Sequence, residues 1–369
     1  MTKAVDMKIG VIGTGFARKA HLPALRTVKN ADVVAVASAR LENAQLTAAE
    51  FGIPHAYGDW RTMLEAHDLD LVCVSTPVST HFSIVNAALA AGAHVLCDTP
   101  AAMDAVQART MSDHARSASR QLLINHELRY DPNRLKIRQL ILSGAIGTLR
   151  HIRIQNVTSG WSDPAGRSSD DWWSFSDKGG GRLLANAPHQ IDLLRWWGSE
   201  VTAVSGRLHT VVRDRRDRNS GQAWTATADD FCEIALDLHN GATASISLFS
   251  VSHNELGNHV QIFGSAGTLI LDEHERLRLS QDGQDFADIT APLADVHRHD
   301  AASSIWSRGV MALLPDVVAH LAAGRPLPEG VAFQSAIENQ VVLDAVRQSS
   351  DDRRWIELGT GTEREDSIS

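Results

Sequence analysis

Residues 8–18, KIGVIGTGFAR, place Gly13 and Gly15 where an apolar run gives way to the start of a helix. Glycines at such a turn let the backbone close on a diphosphate, which the N-terminus of the following helix then favours. The residues expected to hold it are Gly13, Thr14, Gly15, Phe16 and Ala17. The third position of the G-x-G-x-x-G/A pattern falls on Arg18, with the small Ala17 just before it, so the pattern is imperfect and rests on its context. That context is favourable, because a second apolar run, residues 32–38, follows at βαβ distance. At its end an acid would bind ribose hydroxyls and repel a 2′-phosphate, but the chain carries Ser38, Ala39 and Arg40. Ser38 can hydrogen-bond a phosphate and Arg40 can neutralise it, so NADP is expected over NAD. The plainer reading is a polar helix start with Arg40 in solvent.

A second group of residues could move protons. His189 lies in residues 179–198, GGGRLLANAPHQIDLLRWWG. Imidazole titrates near neutral pH, and Pro188 suits the first turn of a helix that would carry the ring at its edge. Asp192, one turn on, can orient or charge-stabilise that ring, cap the helix, or pair with Arg195. Tyr130, in LRYDPN, can donate or relay a proton, or pack against a second domain. Its neighbour Arg129 can bind an anionic or polyol substrate, or pair with Asp131. Trp172 and Trp173, in the glycine-rich residues 161–181, offer flat faces for a sugar or aromatic ring, with structural burial as the competing explanation.

The elements that position these groups follow from the hydrophobic pattern. From residue 7 to about 125, short apolar runs alternate with amphipathic segments, which predicts a doubly wound parallel sheet. Strands are read in residues 69–76, ending at Thr76-Pro77, in residues 94–100, and in residues 121–126. Ligands in such sheets bind beyond the carboxyl ends of the strands, so Thr76, Asp98 and Thr99 should face the same cleft as Gly13 and Gly15. Beyond Pro132 a helix leads into closely spaced alternating runs with no room for crossover helices, which predicts an antiparallel or mixed sheet. Asn240-Gly241 marks a hairpin within it. Residues 213–222, RDRRDRNSGQ, read as a solvated, charge-dense loop. Late helices are expected over 303–323 and 331–347, and a disordered tail from Gly359.

With 369 residues and 43% hydrophobic content, the chain is long enough for two cores. The expected boundaries are 1–128 for the nucleotide-binding domain, 129–358 for the second domain and 359–369 for the tail. The net charge of -9 argues against a nucleic-acid partner. No run is apolar enough to span a bilayer and no signal-peptide pattern opens the chain, so a cytoplasmic protein without a membrane partner is expected. Cys73, Cys97 and Cys232 suggest neither a disulfide framework nor a zinc site, and Cys97 reads as a packed strand residue. The histidines lack metal-ligand spacing, so no metal is expected.

The chain resembles the glucose-fructose oxidoreductase, inositol dehydrogenase and rhizopine-catabolism family, written Gfo/Idh/MocA. The matching segments are GTGFAR, STPVSTHFSIVNAALAAGAHVLCDTP over 75–100, LRYDPN, the segment 179–198, and VQIFGSAGTL over 260–269. The resemblance implies a Rossmann domain followed by an open-faced α/β domain whose sheet is mainly antiparallel, with a nicotinamide cofactor, NADP or NAD, between them. It implies hydride transfer to or from a secondary alcohol or carbonyl of a sugar, cyclitol or related cyclic small molecule. It places Thr76, Pro77 and His81 beside the cofactor, with Asp98 near its nicotinamide ribose. It also implies a homodimer or homotetramer built through the second sheet.

Two departures from the family pattern bear on chemistry. Where such families carry Glu-Lys-Pro, this chain has Asp98-Thr99-Pro100, and the acid opening an Asp-x-Gly-x-His motif falls on Ala185. Thr99 can donate or accept a hydrogen bond but brings neither a cation nor a base near neutral pH. His189 is therefore the expected acid or base. Three alternatives stand beside a sugar or cyclitol dehydrogenase: a dihydrodiol dehydrogenase, a cofactor-binding sensor without activity, and a lyase or glycosidase that oxidises its substrate transiently.

Overall fold

The computed structural model describes residues 6–298, 300, 302, 304–328 and 330–359. The expected tail, apart from Gly359, and the expected helix start at Ser303 lie outside the described residues. Among the described residues no helix is long and apolar enough to cross a membrane.

Six strands form the first sheet: β1 (Met7–Ile12), β2 (Ala31–Ala37), β3 (His55–Tyr57), β4 (Leu71–Val74), β5 (His94–Asp98) and β6 (Leu122–Asn125). All pair in parallel, in the order β3-β2-β1-β4-β5-β6. The helices between them are α1 (His21–Arg26), α2 (Leu41–Phe51), α3 (Trp60–Ala66), α4 (His81–Ala90) and α5 (Ala105–Ser117). Strands β4 and β6 are buried at every position, as a parallel sheet covered on both faces requires. β4 stops at Val74, before Thr76-Pro77, so those two residues belong to the strand-end loop.

The second unit begins with α6 (Pro132–Leu142) and β7 (Leu149–Val157), followed by α7 (Arg182–Ala185) and α8 (Ala187–Trp197). β8 (Val201–His209) leads to a short hairpin of β9 (Asp214–Arg216) and β10 (Ala223–Thr225). β11 (Phe231–Leu238), β12 (Thr243–Phe249), β13 (Gly257–Gly264), β14 (Gly267–Leu271), β15 (Leu277–Gln281) and β16 (Ala287–Asp288) follow. With the late β17 (Ile356–Glu357), they form a nine-stranded sheet in the order β16-β15-β14-β13-β7-β12-β11-β8-β17. Only β7 and β12 run parallel, which gives the mixed, mainly antiparallel sheet expected. The Asn240-Gly241 turn joins β11 to β12, with Gly241 at φ +81°. Alternate residues of β11, Cys232, Ile234, Leu236 and Leu238, face the core, and the intervening ones are half-buried or exposed.

Two expectations need correction. The charge-dense residues 213–222 are exposed at eight of ten positions, as a solvated segment should be, but they are not all loop and two of them are buried. They contain β9, and Arg215 and Asp217 within them are buried. The Arg215 guanidinium donates to the Trp161 carbonyl at 3.2 Å, while Asp217 accepts from the backbone of Asn219 and Ser220. The Ser169 N–H, with the Ser220 N–H and the hydroxyls of both serines, holds the Asp217 carboxyl well below the usual carboxylate range.

The second correction concerns the single boundary at residue 128. The first unit comprises the chain through Asp131 together with 293–338, and the second comprises 132–292 and the chain from Asn339. The reason is apolar. α9 (Ile305–Ala322) buries Val310, Met311, Leu313, Leu314, Val317 and Val318 in one cluster with Ile9, Val11, Leu22 and Leu25. α10 (Phe333–Asp352) adds Phe333, Ala336 and Ile337 to the cluster on the other side of that sheet. Leu314→Ala should cost about 2–5 kcal/mol. Amide exchange should then quicken in β1 and remain unchanged in β11; equal protection of β1 in both proteins would contradict this assignment.

Candidate active site

At the carboxyl ends of the first sheet, the turn after β1 runs against the loop after β4. Gly13 has φ +100°, and a Cβ built there would lie 2.0 Å from the Ser75 carbonyl oxygen, so no other residue fits. A Cβ on Gly15 would meet nothing within 4 Å, which leaves open space on that side of the turn. Ala17 is fully buried, whereas Arg18 reaches outward to Glu50. The small packed residue that the imperfect glycine pattern needs is thus Ala17. Thr14 hydrogen-bonds Ser38 (3.4 Å), joining the turn to the end of β2. Phe16 packs on the core and edge-on to His21, which opens the short α1. Arg40 is exposed at the start of α2.

Asp98 ends β5, and its Oδ1 accepts from His21 Nε2 (2.9 Å) and Asn125 Nδ2 (2.8 Å). Burial alone would lower the His21 pKa, but the Asp98 charge and hydrogen bond raise it to about 10. Burial would likewise raise Asp98; the His21 charge and the hydrogen bonds from His21, Ser75 and Asn125 outweigh it and hold the carboxyl below its ordinary value. Neither His21 nor Asn125 was expected from sequence. The strand-end rule points to Asn125, the last residue of β6, while nothing local marks His21, whose partner is 77 residues away.

His81, expected beside the cofactor, is buried, 1% exposed. Its ring lies between the carbonyls of Thr76 (2.8 Å from Nε2) and Pro100 (3.0 Å from Nδ1), and burial pushes its pKa down. It pins the loops after β4 and β5 together, leaving Thr76, Pro77 and Thr99 half-buried at the sheet end. The Thr99-Pro100 peptide bond is cis. Cys97 is fully buried at the end of β5, and burial raises its thiol pKa, as suits a packed residue. Tyr130 packs against the apolar cluster of the first unit, and Asp131 pairs with Arg308 (3.3 Å). Arg129, beside them, is half-buried.

In the second unit, residues 179–189 form one built segment. Gly181 has φ +96°, and a Cβ there would lie 2.2 Å from Asp229 Oδ1. Asp229 Oδ2 accepts from Leu183 N–H (2.9 Å), and its backbone carbonyl from Arg182 N–H (2.9 Å). Burial lifts the Asp229 pKa to about 6 despite these bonds. α7 stops at Asn186, and α8 begins with Pro188 in its first turn, as expected. In the first two turns of α8 only His189 escapes burial. Asp192 is buried and accepts from Asn339 Nδ2 (3.1 Å); Asn339 in turn accepts from Arg195, which grips Glu200 through Nε and Nη2 (2.8 and 2.9 Å). Asp192 therefore anchors its helix. Trp172 and Trp173 stack on each other at 4.2 Å, half-buried and exposed respectively, so neither is a core tryptophan.

These features define a dinucleotide-binding α/β protein with a second, open-sheet unit carrying a half-exposed histidine. Residues 7–126 match the model of an oxidoreductase family with an NAD-binding Rossmann fold, and residues 135–270 match the Gfo/Idh/MocA C-terminal domain. The chain belongs to the Gfo/Idh/MocA family and is an NAD-binding oxidoreductase.

It is similar to the D-glucoside 3-dehydrogenase of Escherichia coli, at 25% identity over 95% of this chain and 97% of that protein. It is also similar to the levoglucosan dehydrogenase of Pseudarthrobacter phenanthrenivorans, at 27% identity over 73% and 75%. A solved levoglucosan dehydrogenase, in complex with NADH and L-sorbose, shares the fold at TM-score 0.85 and 22% identity over 96% of this chain and 100% of that one. An oxidoreductase domain protein from Kribbella flavida superposes at TM-score 0.85 and 28% identity, over 96% and 100%.

The charged pair at the sheet end should impose a pH signature on stability. Raised from 6.5 to about 10, His21 contributes fully below pH 6.5, and its contribution fades as pH rises through 10. The lowered Asp98 contributes above its ordinary 3.8 and ceases to as pH falls through its folded value. His21→Gln, which leaves a buried carboxylate without its cation, should cost about 3–5 kcal/mol. In urea unfolding, the gap from the parent protein should be widest between pH 3.8 and 6.5 and close towards pH 10; a gap that does not change with pH would refute the pairing.

Proposed function

We propose that the protein is a dehydrogenase of a sugar, cyclitol or related cyclic alcohol, with His189 moving the proton at the reacting substrate oxygen. One observation carries this reading. His189 keeps the family's histidine position and is the residue that the first two turns of α8 leave open. Thr99 and Ala185 bring no charge, so the His189 imidazole is left as the side chain able to donate or accept a proton there. The anchored Asp192 fixes the helix under it and so fixes where the ring begins. Trp172 and Trp173 supply a flat apolar surface for a ring substrate, with Arg129 and Tyr130 as further polar contacts.

The turn that only glycine fits at residue 13, and the open space at Gly15, suit a diphosphate held by the backbone of residues 13–17. Thr76, Pro77, Thr99 and Asp98 would hold the nicotinamide half, and Ser38 and Arg40 the adenine half. A bound nicotinamide supplies the hydride acceptor or donor. With an exposed guanidinium at Arg40 and a hydroxyl at Ser38, the end of β2 favours NADP over NAD. We propose also that copies of the chain assemble as a dimer or tetramer through the second sheet, and that the enzyme works in the cytoplasm.

His189→Ala should lower kcat by about 10²- to 10⁴-fold with cofactor affinity unchanged. The assay follows NADPH absorbance over a panel of sugars, cyclitols and dihydrodiols. Cofactor binding without turnover of any substrate, and without effect of His189→Ala, would replace this reading with a sensor. Turnover without net change in reduced cofactor would replace it with a lyase or glycosidase.

Arg40→Ala should weaken NADP binding about tenfold or more, leaving NAD binding unaltered, as expected for loss of a charge-assisted bond. Equal losses for both, read by fluorescence titration, would reject the NADP preference.

A further inference from the structure

A buried ion pair is a poor device for stability alone, because well-packed apolar residues of the same volume often do as well or better. The pair of Asp98 and His21 is present all the same, and it is lopsided. The His21 side chain has no exposed surface, while that of Asp98 keeps 15%. The bonds from His21 and Asn125 both fall on Oδ1, at 2.9 and 2.8 Å. Oδ2 has the Ser75 hydroxyl beside it and is not shut off from solvent. His21 Nδ1, beside Cys73, meets no acceptor, so the ring spends its charge on Asp98.

Position gives the open oxygen a use. Asp98 is the last residue of β5, and among the last residues of the six strands it carries the one carboxylate. The carboxyl ends of such strands are where a dinucleotide lies. A charged carboxylate oxygen accepts hydrogen bonds and donates none, so it suits a hydroxyl and repels a phosphate. The other titratable groups facing the pair do not compete for its charge. His81, from α4, is buried with its pKa pushed down and each ring nitrogen on a backbone carbonyl, and burial raises the Cys97 thiol.

We propose that His21 is a positioning residue for the cofactor: by tying down Oδ1 from inside the sheet, its imidazolium keeps Asp98 an anion and leaves Oδ2 as a fixed acceptor for a hydroxyl of the nicotinamide ribose. This rests on the cofactor placement proposed above and is independent of the role given to His189. Without the cation, burial would push the Asp98 carboxyl up, and a protonated carboxyl is a weaker acceptor. Removing His21 should therefore create a pH dependence of cofactor binding that the parent protein lacks.

Affinities for NAD, NADP and ADP are measured by calorimetry between about pH 5 and about pH 9, each variant against the parent at the same pH so that the ligand's own titration cancels. For His21→Gln the loss of dinucleotide affinity should be about tenfold or more at the acid end and shrink towards the alkaline end, where Asp98 is ionised again. Binding of ADP, which lacks the nicotinamide nucleoside, should be unchanged. Asp98→Asn should lose about tenfold or more at every pH, the range of a charged hydrogen bond. The double variant His21→Gln/Asp98→Asn buries no charge, so it serves if the single His21 variant does not fold, and it should match Asp98→Asn.

A loss in His21→Gln that is the same at every pH, a loss that extends equally to ADP, or parent-like affinity in Asp98→Asn or in the double variant would overturn the inference. The expected binding pattern without turnover would count against the His189 reading alone. A parent protein that binds neither dinucleotide would overturn both.

Discussion

A carboxylate withdrawn from water must find compensation, and at the end of β5 Asp98 finds it in His21 and Asn125. This one oxygen ties α1, β5 and β6 together at the mouth of the first sheet. His81 does the same work a strand away, bridging the loops after β4 and β5 through two backbone carbonyls. The glycine turn lies hard against Ser75 between these fixed strand ends, so the cradle proposed for a diphosphate would be built before any ligand arrives. Preorganisation of this kind places the ordering cost on folding instead of on binding.

The second unit reaches the same end by different means. The segment that carries His189 is not a strand-end loop but a break between two short helices, kept in place by Asp229 at one end and by the Asp192, Asn339, Arg195 and Glu200 chain at the other. The loop with the stacked tryptophans would be free by its composition, yet Arg215 and Asp217 staple it to the β9–β10 hairpin. Rigid support beneath a surface loop is what allows it to present ring faces in a fixed orientation.

Much of this was legible in the sequence, for physical reasons that differ by element. Buried parallel strands must be apolar throughout, so β1, β2, β4, β5 and β6 announce themselves, and Asn240-Gly241 marks its hairpin because the turn needs left-handed backbone. The helix α5 is harder to see, since alanines and Met111 supply its buried face among polar neighbours. His21 was invisible because its partner is remote in sequence. Arg215 and Asp217 are the buried exceptions in an otherwise exposed charge-dense segment, and only tertiary hydrogen bonds single them out.

The passage of the chain out of the first unit at residue 131 and back at residue 293 also governs how it is born. While the ribosome is still extending the chain, Val11, Leu22 and Leu25 have no α9 to cover them. The intervening segment can complete most of its own sheet in that interval, so the unit begun first is finished after the bulk of the one begun second. An apolar seam thus stays open through more than half of synthesis, and the first sheet is covered only when the late helix arrives.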